Sequence, residues 1–205
     1  QDCSAIVVAC NTATAEAIAT IRSTLDIPII GVEPGIKPAA MQSQNGIVGV
    51  LATEATLNSD KFNALLATLP EHCQFIKQAG AGLVPLIEAG LIETPEMQAL
   101  LRSHLKPILD QGADTLVLGC THYPFLKKMI RAVVGDSMTL IDTSDAVVRQ
   151  LLRQIHQQGL IVSSKHSPKL SLLSTANADT LEAMAERLLH RDLSKYAIYT
   201  KTLTL

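Results

Sequence analysis

The strongest constraint on the fold is a repeated switch between two hydrophobic patterns. Short runs at residues 4–9, 28–32, 47–52, 74–78, 115–119, 138–142 and 169–174 are rich in Val, Ile and Leu, and several are almost continuously apolar. That is the pattern of parallel strands covered on both faces, since a strand packed on one side would alternate with polar residues. Between them lie longer stretches with helical spacing, at 12–24, 34–42, 58–69, 82–89, 95–111, 124–134, 144–158 and 178–190. Strand and helix alternating at this interval build an α/β protein with parallel-sheet cores.

Local punctuation agrees. Thr94, Pro95 and Glu96 read as N-cap, first helical residue and first-turn acid. Gly112 and Gly159 follow the ends of two helical stretches, where a residue able to adopt positive φ stops a helix. Ser144 is placed to cap the helix after Asp142. The polar run at 42–45 reads as a boundary between two lobes.

Composition removes several function classes. With 205 residues, 47% hydrophobic and 18% charged, the chain buries a substantial core and is not disordered. Aromatic residues make up 3% and tryptophan is absent, which leaves no stacking platform for single-stranded nucleic acid. The net charge of -2, with signs interspersed, offers no face for a polyanion, so no nucleic-acid partner is expected. No apolar run reaches the roughly 20 residues of a membrane span, and no secretory signal is visible, so no membrane partner is expected. The four cysteines, Cys3, Cys10, Cys73 and Cys120, form no CxxC pair. A structural zinc site is not indicated, and separated reduced thiols point to a cytoplasmic protein.

Two of those cysteines stand in matching contexts. Ala5-Ile6-Val7-Val8-Ala9-Cys10-Asn11-Thr12 parallels Thr115-Leu116-Val117-Leu118-Gly119-Cys120-Thr121-His122. Each is an apolar strand, a small residue, a cysteine, two polar residues and then a helix. The repeat implies two related lobes, each presenting one thiol. Ligands of parallel sheets bind at the carboxyl ends of the strands, where the next helix begins with unpaired N–H groups and a partial positive charge. That field favours thiolate over thiol, and the same N–H groups receive carboxylates. A small acidic substrate is implied. One thiolate and one thiol on opposite sides of a carbon can remove and return a proton, which inverts a stereocentre. Most cysteines are inert core, and Cys3 and Cys73 are read that way. His122, two residues after a strand-end cysteine, is a candidate proton partner.

Val8-Ala9-Cys10-Asn11-Thr12-Ala13 and Gly119-Cys120-Thr121-His122-Tyr123-Pro124 resemble the paired motifs of the glutamate racemase family. Pro28-Ile29-Ile30-Gly31-Val32-Glu33-Pro34 and Gly49-Val50-Leu51-Ala52-Thr53-Glu54-Ala55-Thr56 are similar to two further segments of that family, in the same order. The Gly-Cys-Thr-His-Tyr-Pro segment is the most specific, whereas Ala-Cys-Asn-Thr is shared in looser form with aspartate racemases. The resemblance implies interconversion of L- and D-glutamate with no pyridoxal phosphate, metal or other cofactor, in the service of bacterial peptidoglycan. It implies that Cys10 takes the proton from D-glutamate and Cys120 from L-glutamate. It implies substrate contacts at Asn11, Thr12, Thr121 and His122, with His122 assisting Cys120, and supporting contacts at Thr56, in a 53–56 turn, and at Glu88. It also implies two pseudo-symmetric lobes, 1–44 with 135–205 and 45–134, with the active site in the cleft between them. A homodimer is compatible with the family.

The family's Asp-Ser-Gly strand end and Pro-Tyr-Gly segment are absent from this sequence. A polypeptide that started at Gln1 is expected to lack part of the substrate shell, to have little racemase activity and to expose a sheet edge. Three other readings stand beside this one. The first is a racemase for aspartate or a hydantoin. The second is a cysteine hydrolase or phosphatase, although Glu16 and Leu126 stand where a phosphatase needs arginine. The third is a truncated racemase that acts as a binding module.

Overall fold

The computed structural model of the chain describes residues 3–160, 169–189, 193 and 196–203. Among these the order is β1 (Ile6–Val8), α1 (Asn11–Thr24), β2 (Ile29–Gly31), α2 (Ile36–Gln42), β3 (Ile47–Ala52), α3 (Glu54–Asn58), α4 (Asp60–Leu66), β4 (Gln74–Ala79), α5 (Leu83–Glu88), α6 (Pro95–Asp110), β5 (Thr115–Gly119), a 3-10 segment (Tyr123–Leu126), α7 (Lys127–Val134), β6 (Thr139–Ile141), α8 (Ser144–Gln157), β7 (Lys169–Ser174), α9 (Ala178–Leu189) and β8 (Ala197–Thr202). The strands form three sheets, β1-β2, β4-β3-β5-β6 and β7-β8, and every pairing is parallel. The α/β class with parallel-sheet cores read from the sequence is therefore the observed one. No helix among the described residues is long and apolar enough to cross a membrane.

The four-stranded sheet explains why its central strands carry no polar alternation. On one face Val48, Val50, Ala52 and Val117 pack with Ile36, Ala39, Leu57 and Phe62. On the other, Leu51, Leu116 and Leu118 meet Met97, Leu101, Leu105 and Ile108 of α6. These four α6 residues recur every three or four positions, one stripe of the helix, and each is fully buried. Each such side chain contributes about 2 kcal/mol of burial. Gly49 lets α6 approach, because a Cβ there would overlap Ile108. The register pairs Ala52 with both Ala79 and Gly119. Residues just past β3 and β5, Thr53 and Cys120, therefore emerge side by side.

Several boundaries differ from the sequence reading. The helix expected over 58–69 is shorter, Asp60–Leu66, with Ser59 capping it by accepting from the Phe62 amide at 3.2 Å, and α3 directly before it was not expected. Thr56 lies inside α3 rather than in a turn, and Thr53 is that helix's cap. Ser144 is the first residue of α8 and not its cap, and the Asp142 carboxylate accepts from its amide and hydroxyl at 2.9 and 2.7 Å. Strand β8, which pairs with β7, was not foreseen. The end of the expected helix at His190 lies outside the described residues. The unit built on the four-stranded sheet includes β6 and is covered by α2, so it reaches beyond 45–134 at both ends. Cys3 is exposed and Cys73 half-buried, so neither is the core residue expected.

The run at 42–45 is tied down by one carboxylate. Asp114 accepts from the Ser43 hydroxyl at 2.7 Å, from the Gln44 and Asn45 amides at 2.7 and 2.9 Å, and from the Thr115 hydroxyl at 2.8 Å. Burial would raise its pKa, but the bonds from Ser43, Asn45, Thr115 and Gln44 together hold it below the ordinary value. A depressed folded pKa stabilises the fold above the ordinary carboxylate range, and that contribution is lost as pH falls through the lowered value. Asp114→Asn is expected to cost about 1 kcal/mol near neutrality, after allowance for screening of a partly exposed group. Denaturant unfolding of both proteins checks this: the gap in stability narrows once the pH drops below the ordinary carboxylate range.

Candidate active site

The first cysteine ends the β1 excursion and begins a helix. Cys10 is the N-cap of α1, with extended backbone (φ -152, ψ 125), and its sulfur accepts from the Ala13 amide at 3.5 Å. The first turn of α1 holds no acid to cancel the positive end of the helix. Cys10 is exposed. Asn11, next in the chain, is buried, and its Oδ1 finds no hydrogen-bond donor among the described residues. A buried acceptor left unpaired is costly, so such an atom at a strand end points to a polar ligand. Thr12 joins a ring of hydroxyls. Its Oγ1 lies 3.1 Å from that of Thr53 and 3.0 Å from that of Thr56, and Thr53 and Thr56 are 2.8 Å apart.

The second cysteine follows the fully buried β5, and its surroundings are drier. Cys120 is 8% exposed. Helix α7 does not begin at once: the Tyr123 amide bonds back to the Cys120 carbonyl at 3.0 Å, and the 3-10 segment intervenes. Tyr123 anchors this turn, wholly buried, with its hydroxyl donating to the Gly80 carbonyl at 3.3 Å. His122 Nδ1 lies 3.9 Å from the Cys120 sulfur, while its Nε2 lies 3.0 Å from Glu88 Oε1. A carboxylate on Nε2 selects the tautomer whose Nδ1 can receive a proton from sulfur. The Thr121 hydroxyl donates to the Ala9 carbonyl at 3.0 Å, which ties the turn after one cysteine to the residue before the other.

Sequence reading expected the helix field to favour thiolate at both positions. At Cys120 burial outweighs it and pushes the thiol pKa up. The His122 amide opposes this, charge on Cys10 adds to it, and the Tyr123 amide opposes it more weakly.

A cavity of about 230 Å³ opens beside these groups, lined among others by Ala9, Asn11, Cys120, Thr121, Asp142 and Ser144. It has the volume of several water molecules, room for a small metabolite. Cys120, Asn11 and Thr121 are thus brought together, whereas Cys10, between Ala9 and Asn11 in the chain, is not itself among the lining residues. Thr12 and Thr56 meet in the hydroxyl ring, and His122 and Glu88 stand behind Cys120. Sequence reasoning missed Thr53 and Asp142. Both lie just past the carboxyl end of a strand, the position that gave the cysteines away. Burial would raise the pKa of Asp142, but Lys127 at 2.7 Å and the Ser144 amide and hydroxyl hold it low, so its charge is matched locally.

Residues 1–151 match the family model described as Asp/Glu/Hydantoin racemase. The chain is 53% identical over 190 residues to a glutamate racemase of Cupriavidus pinatubonensis, covering 93% of this chain and 70% of that protein. Among solved structures, glutamate racemase isoform RacE1 from Bacillus anthracis superposes with a TM-score of 0.83 at 30% identity, covering 98% of this chain and 74% of that one. The Escherichia coli glutamate racemase, solved with L-glutamate and the activator UDP-MurNAc-ala, gives a TM-score of 0.83 at 30% identity, covering 100% of this chain and 76% of that one.

The unequal surroundings of the two thiols are directly measurable. Iodoacetamide near neutral pH is expected to label Cys10 at least roughly tenfold faster than Cys120, because alkylation follows thiolate fraction and access. Labelling of Cys120 should accelerate as pH passes above the ordinary thiol range. Peptide mass spectrometry against time reads both rates, and faster labelling of Cys120 would contradict this account.

Proposed function

The chain belongs to the Asp/Glu/hydantoin racemase family, and on that premise we propose that it is an isomerase interconverting L- and D-glutamate with two cysteine acid/base groups. The observation that carries the reading is the pairing of the two strand-end cysteines, whose turns are linked by the Thr121–Ala9 hydrogen bond. The lobe that carries Cys10 and the lobe built on the four-stranded sheet enclose the substrate between them.

In the D to L direction the Cys10 thiolate removes the α-proton, and the electron pair stays on the α-carbon, delocalised into the adjacent carboxylate. The Cys120 thiol donates a proton to the opposite face. Burial keeps that proton on Cys120 in the resting site, which suits this direction. In the L to D direction Cys120 must first become the base, and His122, held by Glu88, takes its proton. Asn11 Oδ1 accepts from the substrate ammonium, which satisfies its unpaired lone pair. Thr12, Thr53, Thr56 and Thr121 turn their hydroxyls toward the carboxylates. The D-glutamate formed supplies peptidoglycan synthesis in the cytoplasm.

Incubation of either glutamate enantiomer in heavy water tests the mechanism through loss of the α-proton signal. The intact protein is expected to exchange that position and racemise. Cys10→Ser and Cys120→Ser should each lower racemisation by roughly 10²–10⁴-fold. Full activity without Cys10 would replace this reading with a single-nucleophile mechanism, and faster turnover of D-aspartate than D-glutamate would reassign the substrate.

A further inference from the structure

We infer that Arg187, on α9 and remote from the thiols in sequence, is a positioning residue for Cys120, acting through α5, Glu88 and His122. The inference rests on the function proposed above. Helix α5 ends at Glu88, the residue whose carboxylate holds His122. That end is closed by bonds from the Gly90 amide to the Ile87 carbonyl at 2.9 Å and from the Leu91 amide to the Leu86 carbonyl at 2.8 Å, with Gly90 at φ +75. This closure leaves the Ala89 carbonyl pointing out of the helix, as helix ends do. Arg187 Nη1 donates to it at 3.1 Å.

The fit is specific on both sides. A Cβ at Gly90 would overlap the Arg187 guanidinium and lie 2.7 Å from its Cδ. Glycine is favoured there by the positive φ, and a side chain would also displace the arginine. The neighbouring Leu188 packs against the core around β5 and α6, which seats α9 on that unit. A cavity of about 530 Å³ borders Gly90, Phe125, Lys128 and Arg187.

The link matters because the Glu88–His122 pair is partly exposed, with side chains 50% and 32% accessible. An exposed pair of this kind contributes little energy of its own. The orientation of His122 toward sulfur then depends on where the backbone of α5 places Glu88. Burial of Leu83 and Ile87 seats the helix, and Arg187 adds a tether to the Ala89 carbonyl, one residue from Glu88. A base held at 3.9 Å from sulfur is sensitive to displacements of a fraction of an ångström.

A double-mutant cycle on the intact protein tests this. Arg187→Met keeps the stem over Gly90 and removes the donor. It is expected to lower kcat roughly tenfold while KM changes less than about twofold. Arg187→Lys, which retains a donor, should recover most of that loss. In a Glu88→Gln background, Arg187→Met should cost nothing further, since the two residues act on the same imidazole. Multiplying losses in the double variant, or a wild-type kcat in Arg187→Met, would overturn the proposal. The rate of Cys120 alkylation without substrate gives a second readout, and Arg187→Met should alter its pH profile only while Glu88 is present. If the wild-type protein did not racemise glutamate, the functional reading would fall, and the alkylation cycle would still decide whether Arg187 governs Cys120.

Discussion

Burial of β3 and β5 on both faces is the constraint from which the rest of the molecule follows. Two adjacent strands with no solvent face cannot slide against each other without moving Val48, Val50, Leu116 and Leu118 out of contact with their helices. Their register is therefore locked, and with it the level at which Thr53 and Cys120 leave the sheet. Cys120 and Thr53 sit on the rim of this rigid element, on residues that the strands deliver but do not bury among themselves.

The second cysteine shows a balance between two opposed environments. Backbone N–H groups of His122 and Tyr123 favour charge on its sulfur, and desolvation disfavours it. Desolvation prevails at Cys120, whereas Cys10 stands in the open at the end of a full-length helix. Two residues of the same type are thereby made different by position, which is what a site needs if one is to take a proton while the other gives one.

Much of this was legible in the sequence because parallel strands buried on both faces write themselves as unbroken apolar runs, as at 47–52 and 115–119. Cys10 and Cys120 stood out by their matched contexts and by the strand-end rule. What was not legible depended on contacts between segments distant in sequence. The hydroxyl ring joins Thr12 to Thr53 and Thr56 across 41 and 44 residues, and no local pattern announces it. The short helix α3 was not legible, since its five residues carry too little periodicity to stand apart from the turn expected at 53–56. Strand β8 ends the described chain without a following helix to mark it. The dominance of burial at Cys120 could not be seen either, since the sequence shows the helix after a cysteine but not the packing around it.

The hydroxyl ring has a consequence for ligand affinity. In the resting chain the three threonines already satisfy one another across the α1–α3 contact. An arriving carboxylate must displace these bonds before it can replace them, so its reward is a difference between two sets of partners rather than a sum. On the proposed reading, in which these hydroxyls receive the substrate carboxylates, the site holds its guest loosely for the number of donors it offers. For a catalyst that must release either mirror image of one molecule, a loose grip keeps departure from becoming the slow step.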